Sequence, residues 1–433
     1  MYAATGIIKN NENKGKIIST HTTAGIVGRL VQNGSVLNNN NQGEVSGYKI
    51  VGGIIGSAKD TSITNNNNKG EINGEIYVGG IVGVSYSQSF IGNNQNSGKV
   101  ISTSYGTGGI IGIVFDEGAT IDGNKNTGLV QGEIKWIGGI AGILNGSLYN
   151  EPFIIVSNNV NYGKIQTLHG AFRVAGVVGN DNLGALIYNN VNYGDVDCLG
   201  DATVTQIDGG KETGTFGAGG IVGTFGNFDY EATNVEDQVY SPSYIINCYN
   251  KGNISGGNAI GGVIGNIYIK TEPHINIMNV YNEGNVTLTK GSYAGGLIGG
   301  FKPNELSNIV VELLDQGYNR GIVKGSTAGG LIGSNVGIKN SINFAVSDDT
   351  KTKAVINRYV SGIKIENVYY DSSMTSSYGT AKSKSQMDKN FMKSILTSGA
   401  WNFDEEYPRL YKANVIVGDN KTITVTYTNE ILK

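Results

Sequence analysis

Cysteine is almost missing from this chain: Cys198 and Cys248 are the two present in 433 residues, so no disulfide framework can staple it. Proline is also rare, at 5 residues, which excludes a collagen-like repeat or a proline-rich linker despite 67 glycines. Charge is scarce at 15%, and the net charge of −3 excludes a broad electrostatic affinity for nucleic acid. His21, His169 and His274 lie far apart and none sits in HExxH, so a zinc peptidase centre is missing. No G-x-S-x-G, no CxxC and no Gly-rich loop closed by Lys-Ser/Thr occurs, nor does the calcium-binding nonapeptide G-G-x-G-x-D. No metal site is expected. No apolar run reaches the roughly 18 residues of a membrane span, and "MYAATGIIKN" lacks the regions of a signal peptide.

What is present is a repeat. Aligned on the glycine of Asn-x-Gly, the chain shows Asn two residues earlier at Asn13, Asn41, Asn68, Asn96, Asn126, Asn161, Asn192, Asn250, Asn282 and Asn319. Two residues after that glycine stands Ile or Val, from Ile17 to Val323, and seven before it an aliphatic such as Ile63, Ile187 or Leu314. A second glycine core, as in 52–56 and 79–83, follows about ten residues on. Its first spacings, from Gly25 through Gly53, Gly80 and Gly109 to Gly139, are 28, 27, 29 and 30.

Each unit holds three short β-branched segments separated by Gly and Asn, and nothing has helical spacing. One unit therefore predicts one rung of a three-sided parallel β-solenoid, with rungs about 4.8 Å apart. The expected fold is all-β, a β-helix of about 10–11 rungs over 1–371. The ladder asparagines are expected to donate to one neighbouring rung and accept from the other. The corner glycine is expected to supply a positive φ. Cys248 shares a column with Asn66, Asn94 and Val280 and reads as scaffold, not as a catalytic thiol. Tyr249, Tyr281, Tyr318 and Tyr369 read as a packed stack, with a sugar platform as the alternative. The degenerate segment "IENVYYD" reads as an eleventh rung.

The alternation of "INCYNKGNISG" with "AGGLIGG" resembles the GLUG repeat of bacterial surface proteins, over about residues 6–371. Such repeats occur in adhesin-like proteins and beside metallopeptidases that cleave immunoglobulin A. The resemblance implies an extracellular, secreted or cell-surface module without catalysis. The "NNNN" corners of the first rungs depart from the usual "NCY". The chain starts in mid-repeat and reads as a segment of a larger exported protein, with no membrane insertion of its own.

Residues 372–411 are expected to cap the open end, with a helix carrying Met387, Phe391 and Ile395 and N-capped by Ser383 or Ser385. Residues 412–433 alternate like strands and are expected to form terminal strands or begin a further domain. Insertions break the period at about 144–155, 197–216, 224–244, 300–313 and 334–362, and recognition is expected on such loops. The two around Gly220 are acidic, with Lys211 their one base between 195 and 243. They are expected to leave the same side of the solenoid and converge. The candidate binding residues are Asp197, Asp201, Asp208, Glu212, Asp229, Tyr230, Glu231, Glu236 and Asp237, accompanied by Phe216, Phe225, Phe228 and Tyr240. Carboxylates beside rings suit a basic or sugar-bearing partner, or calcium as the one candidate cofactor; the bland reading is that they keep the surface soluble.

Three functions fit: an adhesion scaffold that binds a host protein or glycan, an accessory region of a secreted metallopeptidase, and a carbohydrate-active β-helix enzyme using paired carboxylates.

Overall fold

A computed structural model of the chain describes residues 2–3, 6–115, 118–146, 152–167, 172–182, 184–198, 217–226, 241–269, 275–303, 312–347 and 349–433. Three large sheets of parallel strands form the sides of a prism, as the repeat predicts. Side A contains Val27–Val31, Ile55–Lys59 and Val82–Tyr86 and their successors. Side B contains pairs such as Ser62–Thr64 with Asn67–Asn68, and side C strands such as Ile72–Gly79 and Val100–Gly108. Equivalent residues stack in register: Ile63 lies between Val36 and Ile91, and Asn68 between Asn41 and Asn96. The aliphatic columns point inward, with Ile63, Ile72, Val100 and Ile187 fully buried.

The ladder forms as expected. Asn13 Nδ2 donates to Asn41 Oδ1 at 2.8 Å, Asn41 to Asn68 at 2.7 Å, and Asn68 to Asn96 at 2.8 Å. The row continues through Asn126, Asn161, Asn192, Asn250, Asn282 and Asn319. It then extends to Asn343, where Ala345 replaces the corner glycine and donates its N–H back to Asn343 Oδ1. Each amide also closes its own corner, as Asn68 Nδ2 does on the carbonyl of Gly70.

The corner glycines serve a purpose other than the expected one. They do not adopt positive φ; a Cβ on Gly43 would collide with the carbonyl oxygen of Gly15, and one on Gly70 with that of Gly43. The missing side chain lets successive rungs touch. The left-handed position lies on side B, at Asn38, Asn65, Asn93, Asn158, Asn189, Asn247 and Asn279, with φ between 53° and 58°, and at Gly123. Asparagine tolerates that conformation because its short amide bonds locally.

The stretch 334–362 is not an insertion. Gly337–Asn343 pairs with Glu312–Asn319 and with Ile365–Asp371, and Ile356–Arg358 extends side A. It forms a further rung before "IENVYYD".

The C-terminal segment closes the end only through its first residues: Met374 and Tyr378, with Ile363 before them, cover that end of the core. The helix Lys389–Ile395 and an antiparallel sheet of Trp401–Asn402, Arg409–Val417 and Ile423–Ile431 lie along the outer face of side B. Asp388, not a serine, caps the helix, accepting from Phe391 N–H at 2.8 Å. Ser383 instead precedes a separate 3-10 turn, Lys384–Gln386, where its N–H donates to Gln386 Oε1. The strand Arg409–Val417 runs across the boundary expected at 411/412.

The footprint of this segment is written in one outward column of side B. That column reads Glu12, Asn40, Asn67, Gln95 and Lys125, then Val160, Val191, Tyr249, Tyr281, Tyr318, Ile342 and Tyr369. Polar residues face water, and apolar residues begin as the column reaches the rungs that the segment covers. Three of the four expected tyrosines form the packed stack: Tyr249 and Tyr281 lie 4.5 Å apart at 6°, and Tyr281 and Tyr318 lie 4.7 Å apart at 7°. Tyr369 does not join it, because Ile342 stands between it and Tyr318, and its ring meets Phe391 edge-on at 4.9 Å. Trp401 packs 5.8 Å from Tyr318, whose hydroxyl donates to the carbonyl of Pro408 at 2.6 Å. These rings are covered, so Tyr249, Tyr281 and Tyr318 do not form a sugar platform.

Candidate binding surface

From Asn41 on, the ladder asparagines and both cysteines are buried in the scaffold. A second amide ladder, which the repeat alone did not reveal, runs beside the first. Asn11 Nδ2 donates to Asn39 Oδ1 at 2.9 Å, and the row continues at 3.0 Å per step through Asn66, Asn94, Asn124, Asn159 and Asn190. Each acceptor oxygen also takes a backbone N–H from the preceding rung, as Asn94 Oδ1 does from Asn66 N. The row ends where Asn190 N–H donates to Cys248 Sγ at 3.3 Å, and Val280 follows among the apolar residues of the core.

Neither thiol is poised as a nucleophile. Burial pushes Cys248 up to about 12, partly offset by the bond from Asn190. Burial, helped by the neighbouring Asp197 carboxylate, pushes Cys198 up to about 12.

Of the candidate binding residues, Asp201, Asp208, Glu212, Asp229, Tyr230, Glu231, Glu236 and Asp237 lie outside the described residues, as do Phe216, Phe228 and Tyr240. Asp197 is described. It sits on the outer face of side C, in register with Gln166 and Ser255, accepting from Ser255 Oγ at 2.9 Å and paired with Lys164 Nζ at 3.3 Å. Phe225 is not an arm residue: it is fully buried and stacks in a core column between Asp181 and Ile267.

The two arms are also rooted differently from expectation. The first leaves and returns on side C, between Val196–Cys198 and Gly217–Gly219. The second connects Val222–Phe225 on side A with Ser243–Asn250 on side B.

At the root of the second arm the core changes character. Asp181 replaces an aliphatic in an inward column, beside Leu144 and Phe225, and accepts from Ser243 Oγ at 2.9 Å. Next to it, Asn180 donates to Asn182 at 2.6 Å and Asn182 to Asn145 at 3.0 Å. "GND" at 179–181, where the preceding rung reads "GIL", is the signal that could have found this polar root. Arg173, buried with φ 62°, lies one residue before the strand pair of Val174 with Ala218 at the root of the first arm.

Among the described residues no group of His, Cys, Asp or Glu could hold a metal ion, and no helix is long and apolar enough to cross a membrane. One recess of about 300 Å³ lies within the C-terminal segment beside Phe344, lined by Met387, Met392 and Tyr407 together with Lys384, Glu405 and Glu406. A shallow groove of about 410 Å³ crosses the first rungs of side C, past Ile18, Tyr48, Asn73 and Glu75.

No family model matches the chain, and no curated protein matches it. A solved structure that is similar is that of a "putative immunoglobulin A1 protease" from Bacteroides ovatus, 22% identical, with a TM-score of 0.38, covering 50% of this chain and 66% of that one.

Proposed function

We propose that this chain is a non-catalytic scaffold of a bacterial secreted or surface protein, which holds recognition loops for a host protein or glycan. The observation that carries this reading is how the polar residues are used. The ladder amides bond one another through successive rungs, Cys248 is buried among them, and the tyrosine stack is covered. Two acidic arms interrupt the rung pattern, one between Val196–Cys198 and Gly217–Gly219 and one between Val222–Phe225 and Ser243–Asn250, the second rooted where the core turns polar at Asp181. Loops carried on a rigid repeat scaffold are the arrangement expected of a recognition module. An accessory role beside a peptidase is a variant of the same reading, because this chain would again hold and another domain would cut.

The test replaces both arms with short Gly-Ser turns and measures binding to a glycan array and to host surface proteins. The expected result is lost binding with an unchanged melting temperature. Binding that survives the double replacement would sink the assignment of the arms. Hydrolysis of a polysaccharide panel by the purified chain would overturn the non-catalytic reading.

A further inference from the structure

One outward column of side A turns apolar for three rungs only. In register it runs Arg29, Ser57, then Val84, Ile113 and Ile143, then Asn180 and Thr224. Val84, Ile113 and Ile143 are nonetheless buried, packed with aromatic rings that include three from side C, Tyr77, Tyr105 and Trp136. Two of those rings leave the backbone at an unusual place. Tyr77 and Trp136 have φ of 53° and 63°, and Gly106, at the equivalent position in the rung between them, has 76°. Glycine adopts that conformation freely, whereas a large side chain is strained there. Gly106 also leaves room for its neighbour, because a Cβ on it would lie 2.7 Å from Tyr77 Cδ1.

The result is a packed band of rings. Phe115 and Tyr77 meet edge-on at 5.6 Å, Tyr77 and Tyr105 at 5.6 Å, and Tyr105 and Trp136 at 5.5 Å. Trp136 is buried, while Tyr77, Tyr105 and Phe115 keep part of each ring in solvent. Two residues back along the strands of Tyr77 and Tyr105, Glu75 and Thr103 line the shallow groove of side C. In that groove, one rung before Glu75, Tyr48 stands 53% exposed.

This wall is unsuited to several kinds of partner. The strand Ile72–Gly79 is paired on one edge with Ile50–Gly52 and on the other with Val100–Gly108, so no peptide can join there as a further strand. Ten described residues line the groove, against the roughly 20–30 that each side of a stable protein interface supplies. Glu75 is the one charged side chain among them, so the groove does not match a highly charged ligand. What it offers is a hydroxylated ring beside Ser46, Asn73, Glu75 and Thr103, which donate and accept hydrogen bonds. A pyranose has the complementary surface, with C–H bonds on its face to stack on rings and a rim of hydroxyls. Equivalent positions recur every 4.8 Å or so along the axis, about the length of one such sugar.

We propose that the wall formed by the rungs of Asn41, Asn68 and Asn96 binds a neutral linear oligosaccharide laid along the solenoid axis, about one sugar to a rung. Tyr48 and Tyr105 contact its two ends, and Asn73 and Glu75 bond the hydroxyls between them. The site lies on the scaffold itself, several rungs before the first arm, and so goes beyond the recognition assigned to the arms.

The experiment titrates the full chain, by calorimetry, with cello-, manno-, xylo- and chito-oligosaccharides from single sugars to hexamers. One of these series is expected to bind at a single site, with affinity rising up to about three units and little beyond. Tyr48→Ala should weaken the trimer about tenfold or more, with an unchanged melting temperature because that ring is exposed. Tyr105→Ala should weaken it similarly; should that variant fold less stably, Tyr48→Ala and Asn73→Ala decide by the same readings. Replacing both arms by Gly-Ser turns should leave the sugar binding as it was, which gives the sugar to the groove and leaves a host protein to the arms. Sugar binding that is lost with the arms but kept in Tyr48→Ala overturns the proposal. So does no binding by any of the four series, or tighter binding of the acidic chain polygalacturonate. A host protein whose binding needs Tyr48 while no sugar competes would also overturn it, in favour of a protein contact.

Discussion

Asn68 and Asn96 bond side chain to side chain, Nδ2 to Oδ1 at 2.8 Å, across 28 residues of sequence. Both are buried, so neither amide has water to fall back on. Asn68→Ala leaves Asn41 without its acceptor and Asn96 without its donor. Chemical denaturation should show a loss of about 1–3 kcal/mol. The exposed neighbour Lys69→Ala should cost almost nothing. Equal effects of the two would refute the buried ladder.

The left-handed column separates backbone from side chain. Asn65 is exposed with φ 55°, so its side chain contributes little packing. Asn65→Gly should change stability by no more than a few tenths of a kcal/mol, whereas Asn65→Val should cost about 1–2 kcal/mol through crowding of Cβ against the carbonyl. If valine were tolerated as well as glycine, the corner geometry would be wrong.

Val100 lies between Ile72 and Val130 on side C, fully buried. Val100→Asp places a charge there with no cation beside it. The expected loss is about 3–5 kcal/mol, enough to lower the melting temperature of the whole array. An unchanged melting curve would mean that this column faces outward.

Both thiols should be silent to alkylating reagents at pH 8 in the folded chain and react fully once it is unfolded. Their pKa values rise on folding from the ordinary 9 to about 12, so the folded state holds its protons longer. The stability this contributes is complete below pH 9 and is lost as pH rises from there toward 12. Replacing both cysteines by Ser should flatten that alkaline decline in denaturant midpoints. A decline of the same size in the double variant would assign it to other groups.

Trp401 covers the rings of Tyr281 and Tyr318 and donates from Nε1 to Gln316 Oε1 at 3.2 Å. Trp401→Ala should cost about 3–5 kcal/mol in the stability of the C-terminal segment, read as earlier release of the segment in hydrogen exchange. Unaltered protection of Arg409–Val417 would show that the segment does not depend on this contact.

Much of the prism was legible in the sequence because one rule repeats. Asn, the corner glycine and the following aliphatic recur at fixed offsets, and register carries each column inward or outward together. The second ladder escaped notice although its column was in view. Asn66, Asn67 and Asn68 are alike as letters, and only the fold at Asn65 shows that the outer two turn inward and the middle one to solvent. The rung containing Asn343 was missed for two local reasons. Ala345 stands at its corner, and the step from Asn319 shortens to 24 residues from 37 in the step before. The position of the C-terminal segment could have been read from the outward column, where Lys125 gives way to Val160, Val191 and the tyrosines. The arms were legible only as departures: a periodic rule says where it stops and nothing about the shape taken there.

That same outward column makes the molecule a ruler with a fixed head. The rungs of Glu12, Asn40, Asn67, Gln95 and Lys125 present the cap with nothing to hold. Duplicating or deleting one of them would move everything beyond by a whole step of about 4.8 Å, with both amide rows and the tyrosine stack still in register. A change of part of a rung would put amides against aliphatics in every column at once. Length in this scaffold is therefore free to vary in integers, and only on the side away from the tyrosines.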